Sequence, residues 1–257
     1  MNRNTIWRTL VVLATLATIA INGLANALPL NGLNTGEISD RFQIYFVPAG
    51  YVFSIWGLIY LGLLAYSVYQ VLPAQRDNPY LDRIASLYVL SCAFNIAWLF
   101  LWHYEQFIFT IFMMLGLLLS LITIYLRLDI GQRPASAGIR WFVHLPFSIY
   151  LGWISVATIA NASQLLDYLG WQGGGIAPQV WAILMLSVAA LVGATMAIQR
   201  KDAGFVLVLV WAFAGIGIKQ AGAPAVATAA WIAAGGALLL AILSVWRALN
   251  TKTGVPV

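Results

Sequence analysis

Long runs of uncharged, mostly apolar residues recur along the whole chain, and this feature constrains the fold more than any other. Hydrophobic residues make up 62% of the 257 residues and charged residues only 8%, against about 25% charged residues in a typical soluble domain. A run of roughly 20 apolar residues is long enough to span a bilayer as a helix. Because strand-type alternation is absent, the pattern predicts an all-α protein, a polytopic bundle of transmembrane helices.

We predict eight membrane spans. One of them, residues 203–219, is short, and the other seven are long apolar runs. Leaving out that short span would place the two termini on opposite sides of the membrane. The eight predicted spans are residues 6–27, 50–72, 84–103, 106–127, 141–163, 177–198, 203–219 and 224–247.

The basic residues test this count. With the N-terminus inside, eleven Lys and Arg residues fall on inner segments and two, Arg41 and Lys219, on outer segments. Cytoplasmic segments of membrane proteins are enriched in these residues. We therefore expect both termini in the cytoplasm, in a bacterial cytoplasmic membrane, and no binding of nucleic acid by these dispersed charges. The inner residues are Arg3, Arg8, Arg76, Arg83, Arg127, Arg133, Arg140, Arg200, Lys201, Arg247 and Lys252.

The first span has a second interpretation. Its basic start, apolar centre and Ala25-Asn26-Ala27 ending fit a secretory signal peptide. The apolar run is long for a signal, and the charge pattern is consistent with the helix being retained. We therefore favour a transmembrane helix.

Several kinds of chemistry lack the residues they need. Ion-coupled transporters and proton pumps place ionisable groups in mid-membrane, whereas every acidic residue here falls at or near a predicted membrane edge. No phosphate-binding loop, nucleophile elbow or metal-spaced His and Cys cluster occurs. His103 and His144 fall near opposite faces, so we expect no metal site. The acidic residues are Glu37, Asp40, Asp77, Asp82, Glu105, Asp129, Asp167 and Asp202.

Three predicted helices carry aromatic residues at helical spacing. Each set recurs at intervals of three or four residues, which places its members on one helix face. Asparagine in hydrocarbon needs a hydrogen-bond partner, so the faces that contain it should point into the bundle. The three sets are Phe53, Trp56 and Tyr60 in the second span, Asn95, Trp98 and Trp102 in the third, and Tyr150, Trp153, Ala157 and Asn161 in the fifth.

These faces have two interpretations. Indole and phenol rings form flat apolar walls with one polar group each, so three such faces can line a cleft for a large, flat, mostly apolar ligand. They can equally well be helix–helix packing surfaces, with the asparagines bridging neighbouring helices. The spacing alone favours packing.

Beyond spacing, the motifs resemble those of the TspO/MBR family, the tryptophan-rich sensory proteins related to the peripheral benzodiazepine receptor. Its second helix opens P-P-G-W-V-F-x-P-V-W-x-x-L-Y, and residues 48–60 read PAGYVFSIWGLIY, which matches after a one-residue deletion. Its third helix carries L-N-x-x-W, and residues 94–98 read FNIAW. Its fifth helix reads P-Y-L-x-W-x-x-F-A-T-x-L-N, and residues 150–161 read YLGWISVATIAN.

The resemblance covers roughly residues 1–165, a five-helix membrane domain. Residues 166–257 are then an extension of about three helices, as in an extended family member. Tyr51 stands where the family has Trp, so it is the residue that we expect to change the choice of ligand. Ile149 replaces the proline before Tyr150, and Val156 replaces a Phe.

What the resemblance implies is a membrane receptor or sensor with a regulatory role, whose pocket lies under the first outer loop. It implies bound tetrapyrroles such as protoporphyrin IX, or sterol-like molecules, and no required cofactor. Light-dependent porphyrin breakdown has been proposed for some members, in which Trp153 would take part; we otherwise expect no enzyme. The implied ligand-binding residues are Tyr51, Phe53, Trp56, Tyr60, Asn95, Trp98, Trp102, Tyr150, Trp153, Ala157 and Asn161.

Other functions stay open at this point. The three additional helices offer new lipid-facing surface, which suits an accessory subunit of a larger pigment- or haem-containing membrane complex. A carrier of amphipathic ligands is a further alternative. Small residues at Ala229, Ala233 and Ala237 favour close helix packing, either within the chain or in a homodimer.

Overall fold

The computed structural model describes residues 3–28, 30–76 and 78–250, and within these residues it contains helices and no strand. Two charges used above, Asp77 and Lys252, lie outside the described residues. Short helices and turns connect the long helices. In the part of the chain that the structure describes, the eight long helices are α1 (Arg3–Ala27), α2 (Ile55–Val71), α3 (Ala85–His103), α4 (Phe107–Arg127), α5 (Leu145–Tyr168), α6 (Pro178–Thr195), α7 (Ala203–Lys219) and α8 (Pro224–Asn250).

The first five long helices form a closed ring. α1 packs against α2 and α3, α3 packs against α4, α4 against α5, and α5 returns to α2. Large side chains such as Tyr66, Tyr88 and Phe147 fill the half of the ring near the N-terminus of α1, where their rings meet edge to face. The other half, under the loop of residues 30–49, is less completely filled, and the candidate site lies there.

The last three helices pack on one side of this ring through α7. α7 contacts α5 on one face and α6 and α8 on the other, so it is buried on both sides. Its apolar residues reflect this position, because Val206, Ala212, Phe213 and Ile216 are fully buried. α8 meets it through a face of small residues, which allows close approach. The buried alanines of that face are Ala230, Ala234, Ala237 and Ala241.

Among the described residues, seven helical segments are long and apolar enough to cross a membrane. The eighth, α7, has 17 residues, which corresponds to a length of about 25 Å at 1.5 Å per residue. α7 is thus the short span that the sequence predicts over residues 203–219. The all-α, polytopic fold predicted from the apolar runs is confirmed.

The fifth helical segment is longer than predicted, because helical structure runs from Ala137 through α5 to Tyr168 rather than over 141–163. A π-helical turn, Arg140–His144, precedes α5. Such a turn accommodates Pro146, which has no N–H to donate within the helix. Hydropathy identified the apolar centre of this helix but not the turns that extend beyond it.

Asp202 joins three helices at the N-terminal end of α7. As the N-cap of α7 it accepts a hydrogen bond from the backbone N–H of Phe205 at 3.1 Å. Its other carboxylate oxygen accepts from the hydroxyls of Tyr125 on α4 at 2.8 Å and Ser148 on α5 at 2.7 Å. Burial raises the pKa of this carboxyl, and the hydrogen bonds only partly offset that effect. The joint therefore contains a buried acid at the edge of the membrane.

Candidate functional site

The sequence PAGYVFSIWGLIY forms the rim of the site and the start of α2. Residues Gly50–Ser54 form a 3₁₀ turn that leads into the helix. The backbone N–H of Ala49 donates to the carbonyl of Gly215 at 3.1 Å, and the Trp211 indole N–H donates to the carbonyl of Val52 at 3.0 Å. A side chain at Gly215 would collide with Val52, because an added Cβ would lie 2.2 Å from its Cγ2. α7 thus positions the rim turn.

The α2 wall of the site is a run of three half-buried aromatic side chains. Trp56 and Tyr60 stack with their ring centroids 5.4 Å apart. Phe53 meets the ring of Trp153 on α5 edge to face at 5.8 Å, and Trp56 meets the same ring at 6.3 Å. The helical spacing therefore produces one continuous aromatic surface that joins α2 to α5.

The α3 wall contains a second stacked pair. The rings of Trp98 and Trp102 are nearly parallel, at 16°, with centroids 5.3 Å apart. Their polar edges are both satisfied, since Trp98 Nε1 donates to the Asn161 side-chain oxygen at 3.4 Å and Trp102 Nε1 to the Thr35 carbonyl at 3.3 Å. The pair is held in place from both ends.

The asparagines hold aromatic side chains in position. Asn95 accepts from the Asn22 amide at 2.8 Å and donates to the Tyr150 hydroxyl at 3.0 Å. Asn161 accepts from Trp98 and donates to the Thr110 hydroxyl at 3.0 Å. The requirement for a partner inside the bundle is therefore met, and in each case one partner is an aromatic residue with a place in or just behind the walls of the site.

Trp153 is the exception among the aromatic residues of the site. It is 2% exposed, and its Nε1 has no hydrogen-bond partner in the structure. A buried donor without a partner costs about 1–3 kcal/mol and is uncommon in folded proteins. Trp153 lines a small cavity, and its indole N–H is a buried donor without a partner of its own.

A lid, residues 30–49, covers the end of the ring at which α2 begins. Its helix Thr35–Asp40 begins with a capping box, in which the Asn34 side chain accepts from the backbone N–H groups of Gly36 and Glu37, and Glu37 accepts from the Asn34 backbone N–H. The capping box gives this short segment a defined shape although it lies in a loop.

Three helices fasten the lid. On α3, His103 Nδ1 donates to the Leu30 carbonyl at 3.1 Å, so its Nε2 accepts from the Thr35 hydroxyl at 3.2 Å. On α5, the Gln164 amide donates to the Ser39 hydroxyl at 2.8 Å. The C-terminal end of α7 provides the third attachment, described next.

The attachment to α7 combines an ion pair and a neutral hydrogen bond. The Lys219 ammonium pairs with the Asp40 carboxylate, and the side-chain amide of Gln220 donates to the Tyr45 carbonyl at 3.1 Å. A second ion pair, Arg41 with Glu105 at 2.5 Å, lies on the α3 side. The C-terminal helices thus take part in holding the cover of the cavity.

Two adjacent cavities lie under the lid. The larger has a volume of about 450 Å³ and the smaller about 40 Å³, and both are bordered by Thr35, Phe53, Trp56 and Trp98. The other residues of the larger cavity are Asn22, Asn26, Asn34, Gly36, Glu37, Asp40, Gly50, Ser54, Tyr60 and Leu99. Those of the smaller are Ser39, Val47, Pro48, Trp102, Met114, Trp153, Val156, Ala157, Ala160, Asn161 and Gln164.

The structure brings most of the expected binding residues to these cavities. Phe53, Trp56 and Trp98 border both of them, and Tyr60 borders the larger. The other expected binding residues, which line the smaller cavity, are Trp102, Trp153, Ala157 and Asn161.

Three expected residues occupy other places. Asn95 and Tyr150 lie one layer behind the walls, where they hydrogen-bond to each other. Tyr51 is 47% exposed and packs edge to face on Trp211 of α7, at 5.3 Å. It borders neither cavity, because α7 occupies the side of the rim turn toward which this residue points.

Sequence reasoning did not identify the polar side of the larger cavity. Asn22 and Asn26 come from α1, and Asn34, Glu37 and Asp40 come from the lid. The two α1 residues carried a usable signal, since asparagines four residues apart inside an apolar span need partners as much as Asn95 does. For the lid, the resemblance implied only that the first outer loop covers the pocket, because the folded path of the loop decides which of its residues lie over the ring.

The described residues contain no group of three or more His, Cys, Asp or Glu side chains arranged to hold a metal ion. His103 is engaged by the lid, and His144 lies at the other end of the bundle, where its Nε2 is 2.7 Å from the Tyr80 hydroxyl. The geometry of the site is that of a binding cavity with aromatic walls.

Comparison with known families covers nearly the whole chain. The model of the family described as TSPO-like protein matches residues 8–244, and so includes α6, α7 and the greater part of α8 together with the five-helix ring. No curated protein and no solved structure matches the chain. The division into residues 1–165 and 166–257 stays a prediction. The aromatic motifs, the helical membrane fold and the family match agree, and the chain belongs to the TSPO-like family of integral membrane proteins, TspO/MBR.

Proposed function

We propose that this protein is a TspO-like membrane receptor that binds a flat, mostly apolar small molecule, such as a tetrapyrrole, in the cavities under the lid. The observation that carries the proposal is the placement of two stacked aromatic pairs. Trp56 with Tyr60 on α2, and Trp98 with Trp102 on α3, border adjoining cavities that a fastened loop covers.

The size and surface of the cavity support a flat apolar ligand. Small-molecule sites have volumes of about 300–1,000 Å³, and the larger cavity, at about 450 Å³, falls in this range. Aromatic rings offer wide, rigid contact surfaces, and a planar ligand gains most from them. The polar residues of α1 and the lid would fix the orientation of the ligand from one side.

The lining also supports binding without axial ligation by histidine or cysteine. Neither cavity is bordered by either residue type. A tetrapyrrole would be held there by contacts with its faces and edges. Trp153, the residue that the family resemblance connects with porphyrin breakdown, would lie beside it with its indole N–H free to donate.

A regulatory role is supported by the attachments of the lid. The lid contacts α3, α5 and α7, so a ligand that shifts the lid would change contacts on three helices at once. A ligand shifts such an equilibrium only by its difference in affinity between the two states. We place both termini in the cytoplasm, because in that orientation eleven Lys and Arg residues fall on inner segments and two on outer segments.

Binding can be tested by titrating the purified full-length protein in detergent with protoporphyrin IX and with protoporphyrin IX dimethyl ester. We expect saturable quenching of tryptophan fluorescence by at least one of them, because several indoles border the cavities. The proposal is wrong if neither porphyrin binds saturably. Identifying the small molecules that co-purify from the native membrane would then show what the cavities hold.

A further inference from the structure

The polar side of the larger cavity is acidic. Of its fourteen described lining residues, two are the carboxylates Glu37 and Asp40, and none is Lys, Arg or His. Cavities that receive carboxylate or phosphate groups usually offer Arg or Lys, which bind those groups with charge-assisted hydrogen bonds. The charge of the lining is therefore the reverse of what an anionic ligand would need.

Of the two carboxylates, only Asp40 is neutralised. Its partner is Lys219, whereas the nearby cation Arg41 pairs with Glu105. Glu37 has no salt bridge among the described residues, and its hydrogen-bond donor, the backbone N–H of Asn34 at 2.7 Å, is uncharged. The lining consequently keeps one uncompensated negative charge, on Glu37.

Some of the neutral donors that would attract an anion are used within the protein. The first N–H groups of the lid helix, which favour negative charge, donate to Asn34. Both N–H bonds of the Asn22 amide are also engaged, with the Thr18 carbonyl at 2.9 Å and with Asn95 at 2.8 Å. The remaining polar atom of the Asn22 side chain is its amide oxygen, which can only accept a hydrogen bond.

An independent observation at the other end of the site also points to a ligand. Trp153, whose Nε1 has no hydrogen-bond partner, lines the smaller cavity, which shares Phe53, Trp56 and Trp98 with the larger one. A neutral acceptor such as a carbonyl oxygen would satisfy this donor. A charged acceptor would pay a large desolvation cost among these apolar walls.

From these observations, and building on the proposed function, we infer that the cavity selects flat apolar ligands whose polar groups are neutral or cationic. At the Trp153 end the ligand presents a neutral hydrogen-bond acceptor. At the lid end it presents a donor or a positive charge to Glu37. Ligands that carry carboxylates on the same ring system bind more weakly, and Glu37 is the residue that discriminates against them.

The same pair of porphyrins tests this inference. Protoporphyrin IX carries two carboxylates and its dimethyl ester none, on one macrocycle. The measured quantity is the ratio of the two dissociation constants in the wild type and in two variants. Glu37→Gln removes the charge and keeps the capping box, which Gln also forms. Asp167→Asn removes an exposed charge on the same face, where the carboxylate accepts from the Gln43 N–H outside both cavities.

We expect the wild type to bind the ester more tightly. In Glu37→Gln the preference for the ester should fall by about fivefold, the effect of one like charge at about 4 Å in water. Asp167→Asn should leave the preference unchanged. The ester also partitions more readily into detergent, which shifts its apparent dissociation constant. This shift is the same for the wild type and both variants, so it cancels when their ratios of dissociation constants are compared.

Salt provides a second measurement on the wild type alone. Raising the salt from low concentration to about 0.15 M, where the Debye length is about 8 Å, should strengthen binding of the dicarboxylate and leave that of the ester unchanged. An unaltered preference in Glu37→Gln, or tighter binding of the dicarboxylate by the wild type, would overturn the inference while the proposed function stands. Failure of both porphyrins to bind would overturn both.

Discussion

Asn95 donates a hydrogen bond to the hydroxyl of Tyr150 over 3.0 Å, and this bond links α3 to α5 behind the aromatic walls of the cavity. Tyr150 is fully buried and its ring meets that of Trp56 at 6.0 Å. The asparagine therefore acts on the site through two aromatic rings. Its amide oxygen, which accepts from Asn22, extends the same network to α1.

Replacing Asn95 with Ala should destabilise the bundle and loosen the site together. The substitution leaves the Tyr150 hydroxyl and one Asn22 N–H without partners, at a cost of about 1–3 kcal/mol. We expect a lower Tm in detergent and weaker porphyrin binding. Tyr150→Phe, which removes a single hydrogen bond and keeps the ring, should show a smaller loss of Tm. An unchanged Tm in Asn95→Ala would contradict this role.

Replacing Trp153 with Phe should weaken binding of a ligand that carries a carbonyl. The change removes the unpartnered indole N–H and keeps an aromatic ring in the wall. One hydrogen bond is worth about 1 kcal/mol, so the dissociation constant should rise about fivefold. Equilibrium dialysis is the suitable measurement, because it does not depend on tryptophan emission. The control is Trp231→Phe on α8, where the side chain is 49% exposed on the outside of the bundle. Equal affinities of Trp153→Phe and wild type would exclude the hydrogen bond.

Replacing Lys219 with Ala should speed ligand exchange. The variant loses the ion pair that fastens the lid to α7, so the lid should open more often. An exposed ion pair contributes only about 0.2–1 kcal/mol, so the dissociation rate should rise by a few fold at most. Stopped-flow displacement of the bound porphyrin measures this rate. Arg133→Ala, which breaks the exposed pair with Asp129 on the opposite face, should leave the rate unchanged, and so serves as the control.

The joint at Asp202 should make stability depend on pH. Burial raises the folded-state pKa of this carboxyl above its value in the unfolded chain. The folded protein therefore favours the protonated acid, and this group stabilises the fold at acid pH. The stabilisation is lost as the pH rises from the unfolded-state pKa through the folded-state pKa.

The measurement is the difference in Tm between wild type and Asp202→Asn across acid and neutral pH. Asparagine keeps an acceptor for the Phe205 N–H and removes the titration. We expect the wild type to gain stability relative to the variant as the pH falls. If the difference in Tm is constant with pH, or if the wild type loses stability relative to the variant as the pH falls, the folded protein does not favour the protonated carboxyl.

The periodic parts of the molecule were predictable from sequence, and the contacts made by distant segments were not. Helical spacing is a local property, so Phe53, Trp56 and Tyr60 could be placed on one face before their neighbours were known. Tyr51 shows the limit of local reasoning, because its contact with Trp211 joins residues 160 positions apart. Family motifs place it near the pocket, but α7 lies outside the five-helix unit that those motifs describe.

The acidic side of the cavity illustrates the same limit. Glu37 and Asp40 read as exposed residues of an outer loop, and no spacing rule connects them with aromatic residues of α2 and α3. Their position depends on the capping box and on the attachments to three helices, which arise only when the bundle has assembled. Asn22 is different, since the requirement for a partner in lipid was readable from the sequence of the first span.

The central claim, that a flat ligand binds in the cavity under the lid, is tested most directly by filling that cavity. Ser54 borders the larger cavity, so Ser54→Phe places a ring where the ligand would lie. Ser187→Phe makes the same change on α6, at an exposed residue that borders neither cavity. We predict that porphyrin binding is lost or weakened at least tenfold, about 1.4 kcal/mol, in Ser54→Phe and retained in Ser187→Phe, with similar Tm values. Wild-type affinity in Ser54→Phe would show that the ligand binds elsewhere, and would contradict the account.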